Sequence, residues 1–343
     1  MPRMSIKILD CTLRDGGYNN NWTFGRKAKT RVPRFLAQAG VEFIEMGFLQ
    51  KGGFSRRQSL FADMRDADEF IPKAELGAKT FVMVDFKSKY PISEIPQKSE
   101  VKTDGIRVVF YPSDRKAAFE YIAAIKEKGY IVAANPMQAH LYDDAGRAEL
   151  ASLANKAKPH IFAIVDSFGC MSPAEVENIG RQFDRLLSPE IALGFHAHDN
   201  LGLALPSALN LINLKLKREL IIDSSLRGMG RGGGNLRTEI IAMWLNQHAG
   251  KAYNLDRIFD AIDDYIGVQA RKKPWAMDAI LGLSGMEKLH QNYAIYLLER
   301  KLTSARLAMN VFKKIAEISP DAYDETLIEK LVKAEQENLK PLK

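Results

Sequence analysis

The chain has 343 residues, of which 46% are hydrophobic and 27% charged, with a formal net charge of +7. That composition fits a globular protein with a large core, and no run of about 18 apolar residues offers a membrane span. The basic residues are interleaved with acidic ones outside two short clusters near 217–219 and 271–274, so nucleic acid is not an expected partner, while an anionic substrate would suit the excess.

The opening MPRMSIKILDCTLRD enters a strand-like segment without the pattern of a signal peptide, and the two cysteines, Cys11 and Cys170, cannot form a disulfide framework. Cytoplasmic residence is the expectation. Eight apolar runs then follow in order, at 6–10, 41–48, 79–86, 105–111, 130–138, 161–167, 191–198 and 220–226. Their nearly continuous apolar character predicts parallel strands covered on both faces. Amphipathic segments such as RKAAFEYIAAIKEKG and SPAEVENIGRQFDRLL separate most of them, with Ser172-Pro173 as a helix start and Gly129 as a helix end. Eight strands with helical crossovers predict a (β/α)8 TIM barrel over residues 1–250, with a doubly wound open sheet as the alternative. Beyond 250 the pattern is helical alone, giving a C-terminal extension (251–343) that packs on the barrel or a partner chain and ends in an exposed, charged tail from 325.

In FHAHDNLG, His196 and His198 stand two apart on the seventh run, so both imidazoles leave one face of a strand. One core and one surface histidine would give the same pattern, but two parallel imidazoles are also half of a metal site. In a closed barrel the first and seventh strands both flank the eighth, so Asp15, just beyond IKILDCTL, can complete an Asp-His-His set for a divalent ion such as Mn, Mg, Co or Zn. The loop RGMGRGGGN lacks the ending of a phosphate loop and delivers Asn235 as a further, weaker ligand. Arg14 is either a surface ion-pair partner of Asp15 or the donor that stabilises an enolate oxygen beside the metal.

LDCTLRDGG, FHAHDNLG and GMGRGGGN, in this order, resemble the three signatures of the DRE-TIM metallolyase superfamily, which includes HMG-CoA lyase, isopropylmalate and homocitrate synthases, and 4-hydroxy-2-oxovalerate aldolase. The resemblance covers residues 5 to 250. It implies a metal held by Asp15, His196 and His198 with help from Asn235, Arg14 as enolate stabiliser, and C–C bond chemistry next to a carbonyl. It also implies that Ser167 meets a pyruvate carboxylate, that Glu45 lies near the mouth, and that Tyr293 reaches the substrate from the C-terminal helices. Read from the residues alone, Ser167 is a turn residue, Glu45 a partner of Arg14 or the surface, and Tyr293 part of an aromatic stripe with Tyr296.

Pyruvate aldolases of this superfamily carry an acid-base histidine where this chain has Tyr18, so Tyr18, His290 or a metal-bound water must relay the proton. The glycine loop is closer to the GLGAGAGN of those aldolases than to the GxGERxGN of the acyl-CoA synthases. The expected function is therefore a class II type pyruvate aldolase using Mn2+ or Mg2+, which reversibly cleaves a 4-hydroxy-2-oxo acid to pyruvate and an aldehyde through a metal-held enolate. An acyl-CoA/2-oxo acid condensing enzyme and a non-catalytic metabolite-binding barrel are the alternatives. Small-molecule substrates are expected partners, together with a second copy or a partner enzyme on the C-terminal helices.

Overall fold

The computed structural model describes residues 5–71, 77–318 and 322–338. Among the described residues nine parallel strands form one sheet: β1 (Ile6–Asp10), β2 (Phe43–Leu49), β3 (Leu60–Phe61), β4 (Lys79–Asp85), β5 (Gly105–Phe110), β6 (Ile131–Pro136), β7 (Ile161–Asp166), β8 (Ala192–Ala197) and β9 (Leu220–Ser224). Their order is β1-β9-β8-β7-β6-β5-β4-β2-β3, and β1 also pairs with β2. That last pairing closes the barrel and excludes the open sheet. The two-residue β3 is an addition the sequence did not announce. It lies beside the end of β2, where the β2–β4 register shifts between Glu45 and Phe48.

Helical connections cover the outside of the sheet, so the strands are buried on both faces, which is why they appeared as unbroken apolar runs. The helix Pro173–Leu186 begins as expected. Ser172 Oγ accepts from the Glu175 amide, the Glu175 carboxylate accepts from the Ser172 amide at 2.8 Å, and Pro173 fills the first turn.

Inside the barrel, side chains alternate with the period of two that a strand imposes. A floor is made by Leu9, Phe43, Phe81, Ala133, Ile161, Ala192 and Ile221. Two residues further along their strands, Phe43 is succeeded by Glu45, Ala133 by Asn135 and Ile221 by Asp223, while Arg107 stands two beyond Gly105; all four are buried polar groups. An apolar floor under a polar storey therefore points the chemistry toward the C-terminal ends of the strands.

The boundary expected at 250 lies inside the first core, which continues through Tyr253, Ile258 and Ile262 to Ile266. A second core begins at Ile280 and joins the helices Ala279–Met286, Asn292–Glu299, Ala305–Ile318 and Glu325–Asn338. The charged segment from 325 is not an exposed tail. Ile328, Val332 and Glu335 recur at helical spacing and are buried, with Glu335 accepting from Asn310 and Lys314. Residues 339–343 lie outside the described residues.

Tyr293 belongs to this second core rather than to the barrel mouth. It is fully buried, its hydroxyl donates to Ala322 O at 2.8 Å and accepts from the Asp324 amide at 3.0 Å, and its ring lies 5.1 Å from that of Tyr323. Both bonding capacities of the phenol are used within the extension, and Tyr293 does not line the cavities at the barrel mouth, where the resemblance had implied a substrate contact. Tyr293→Phe should lower stability by about 1 kcal/mol in denaturant unfolding, the usual worth of such a bond, and leave turnover unchanged. A tenfold loss of kcat would return Tyr293 to the site.

Candidate metal centre

The Asp15 carboxylate and the imidazoles of His196 and His198 each offer a ligand atom, and these atoms lie within 4.8 Å of one another. All three residues are buried. His196 ends the sequence Ala192-Gly194-His196 along the inward face of β8, and His198 extends it by one more step just past the strand. Asp15 arrives from the turn after β1, whose backbone folds back so that the Asp15 amide donates to Cys11 O at 2.8 Å.

Around these candidate ligands runs a continuous chain of buried ionic groups. Arg14 donates through Nη1 to Asp15 and through Nε to Glu45 Oε2 at 2.7 Å. Arg107 reaches the same Glu45 oxygen at 3.2 Å and also donates to Asp223 Oδ2. Asp223 Oδ2 lies 3.0 Å from His196 Nδ1. Burial would raise the pKa of Asp223, but Arg107 and His196 outweigh it and hold the carboxyl below its ordinary range. An ionised Asp223 can only accept, so His196 Nδ1 carries a proton, and Nε2 is the ring nitrogen left to face a metal. Burial likewise opposes the charge on Asp15, yet Arg14, His198 and His196 hold it well below the usual carboxylate range. Burial pushes His198 down to about 4, against the pull of Asp15, so it is neutral at pH 7 as a metal ligand must be.

The donor set fits a divalent cation. Asp15, Glu45 and Asp223 face Arg14 and Arg107, three carboxylates against two guanidiniums, which leaves one negative charge over. Asn235 Nδ2 donates to Asp15 Oδ2 at 2.7 Å and to Met229 O at 3.2 Å, while its Oδ1 is buried without a partner. Orphaned oxygen beside a carboxylate and two imidazoles is the environment a Mn2+ or Mg2+ ion would complete, and Co2+ or Zn2+ would also fit.

A cavity of about 90 Å³ opens over the centre, lined among others by Arg14, Asp15, Tyr18, Asp85, Tyr111, Asn135, Ser167, His196, His198, Arg231 and Gln291. Ser167 Oγ accepts from the Gln138 amide at 2.9 Å, and Ser167 O accepts from Gln291 at 3.3 Å. Glu45 pairs with Arg14 rather than with the surface. Tyr18 is 38% exposed at the rim, its ring against Trp22. Burial of part of the phenol raises its pKa, with Arg231 opposing, so it is protonated at neutral pH and is a proton donor rather than a base. His290 sits between the rings of Phe168 and Tyr323, accepts from the Asn292 amide, and is pushed down to about 3 by burial and Arg231; it does not line the cavity.

Arg107, Asp223 and Gln291 were not singled out from the sequence. The first two had a signal: a charged residue inside an apolar strand of a closed barrel must find a partner within it. Gln291 had none. Asp223→Asn should weaken binding of Mn2+ by about 10–100-fold in calorimetric titration, as loss of a histidine's supporting carboxylate typically does. An unchanged affinity would show that His196 needs no such support.

The HMGL-like family model matches residues 5–264. The 4-hydroxy-2-oxovalerate aldolase of Geobacillus genomosp. 3 is 29% identical over 253 residues, covering 72% of this chain and 72% of the relative. Among solved structures, the N-terminal domain of a proposed aldolase from Bacteroides vulgatus aligns over 88% of this chain and 99% of its own with a TM-score of 0.71 and 25% identity. The HMG-CoA lyase of Brucella melitensis, at 20% identity and a TM-score of 0.61 over 78% and 98% of the two chains, shares the fold. With the family model spanning well over half of its length, the chain belongs to the HMGL-like family.

Proposed function

We propose that this protein is a divalent-metal-dependent aldolase that reversibly cleaves a 4-hydroxy-2-oxo acid into pyruvate and an aldehyde. The observation that carries the reading is the buried Asp15, His196 and His198 cluster with the Arg14 guanidinium on the same cavity wall. Its likeness to relatives named 4-hydroxy-2-oxovalerate aldolase supports it. Mn2+ or Mg2+, held by Asp15, His196 and His198 with Asn235 Oδ1, would supply a Lewis acid toward the substrate carbonyl.

The chain's own groups do the rest. Arg14 is fixed by Glu45 and Asp15 and neutralises the enolate oxygen as charge develops there. Asn135, Ser167 and Gln291 line the same cavity, and they receive the carboxylate of the 2-oxo acid. In cleavage the 4-hydroxyl gives up its proton, the C3–C4 electron pair becomes the enolate, and C4 departs as the aldehyde carbonyl. The enolate then takes a proton at C3, so no oxidant or reductant is needed. Asp85 and Tyr18 are lining groups outside the ion-pair chain, and they move these protons. Burial raises the Asp85 carboxyl above its ordinary value, against the Lys87 amide and charge, and Tyr18 stays a neutral donor.

Incubated with Mn2+ and pyruvate in D2O, the protein is expected to exchange the pyruvate methyl protons; exchange into acetyl-CoA in place of pyruvate would favour the condensing enzyme. Arg14→Lys should slow pyruvate exchange by about 10²–10³-fold, the usual loss for one donor to a developing oxyanion. Wild-type exchange in that variant would reduce Arg14 to a structural ion-pair partner.

A further inference from the structure

We infer, resting on the aldolase reading, that the aldehyde acceptor is an anion and that Arg231 receives its carboxylate or phosphate. The metal chamber is only about 90 Å³, far below the usual size of a ligand pocket, and suits a compact oxo acid. A second chamber of about 650 Å³ adjoins it, formed between the barrel mouth and the C-terminal extension, with Lys273, Trp275, Leu281 and Asn292 in its wall. Tyr18 and Arg231 line both chambers, so they stand at the passage that a longer substrate would take from one to the other. A substrate whose reacting carbon is in the inner chamber must carry its remaining atoms past these two residues.

Arg231 is held in that passage from both sides. A Cβ on Gly230 would lie 2.3 Å from Asn235 Nδ2 and 2.7 Å from Asp15 Oδ2, so the backbone before Arg231 is packed directly on the metal ligands. Gly232, at φ +64°, would bring a Cβ to 2.3 Å from Gln291 Oε1 and 2.6 Å from Asn200 Oδ1. The side chain then runs over the Tyr18 ring, 5.1 Å from its centroid, and donates to Asn292 Oδ1. The buried guanidiniums of Arg14, Arg107 and Arg218 all pair with carboxylates. Among the described residues, no carboxylate lies within ion-pair distance of Arg231, which is half-buried. A positioned, partly desolvated guanidinium with an open planar edge is complementary to a carboxylate or phosphate. Lys273 adds an exposed second cation. The acidic groups of the outer chamber are Asp278, whose carboxylate caps a helix by accepting from the Ile280 amide, and Glu299, exposed at the rim.

The test uses the Mn2+-loaded protein, pyruvate and three acceptors: propanal, succinic semialdehyde and glyceraldehyde 3-phosphate. One of the two anionic acceptors should exceed propanal in kcat/KM by about 10²-fold, as a charge-assisted pair of hydrogen bonds allows. Which of them does so assigns carboxylate or phosphate. Arg231→Gln should bring that ratio toward one, and Arg231→Lys should restore part of it. Pyruvate exchange in D2O without any anionic preference overturns the inference and leaves the aldolase reading standing. Absence of exchange removes the aldolase reading itself. In that case calorimetry of the metal-free chain with the unreactive succinate and glycerol 3-phosphate decides the anion site: binding at least tenfold weaker in Arg231→Gln sustains it, and equal binding overturns it.

Discussion

The barrel mouth depends on one arrangement, the buried line of charge that runs from Asp15 through Arg14, Glu45, Arg107 and Asp223 to His196. Each member would be severely destabilised alone in so dry an environment, and each is tolerated because its neighbours neutralise it. The line crosses the barrel through β2, β5 and β9, so it also fixes the directions of the two residues at its ends. Those ends are the candidate ligands Asp15 and His196. An excess of one carboxylate remains, together with the unpartnered Asn235 Oδ1 and His198 Nδ1, and all of it is concentrated where a cation would reside.

The glycine loop after β9 is a steric requirement of the same arrangement. Gly230 lies against Asp15 and Asn235, and Gly232 against Gln291 and Asn200, where a side chain would have to displace those groups. These close approaches couple the barrel to its C-terminal extension. Asn200 accepts from the Gly233 amide and donates to Phe168 O, while Gln291 spans from the extension to Ser167 O. The extension is therefore a wall of the site as well as a second core.

The strands were legible because burial on both faces leaves long apolar runs, and the candidate ligands because two histidines at strand spacing share a face. Arg107 and Asp223 escaped notice inside GIRVVFY and LIIDSSL, where a single charge looks like noise until the barrel closes and the two meet across its interior. Tyr293 and Gln291 show how a helix can mislead. Two residues apart on a helical path they point to nearly opposite sides, so that Gln291 faces the barrel and Tyr293 faces Ala322. The amphipathic stripe of Ile328, Val332 and Glu335 was present in the sequence but masked by the charges around it.

On this reading the ion-pair line leaves a cation site between Asp15, His196 and His198. Diffraction from crystals grown with Mn2+, recorded for anomalous signal at the manganese edge, tests it most directly. One strong peak is expected at bonding distance from the Asp15 carboxylate, His196 Nε2, a ring nitrogen of His198 and Asn235 Oδ1. A map with no peak among these atoms at saturating Mn2+ would contradict it.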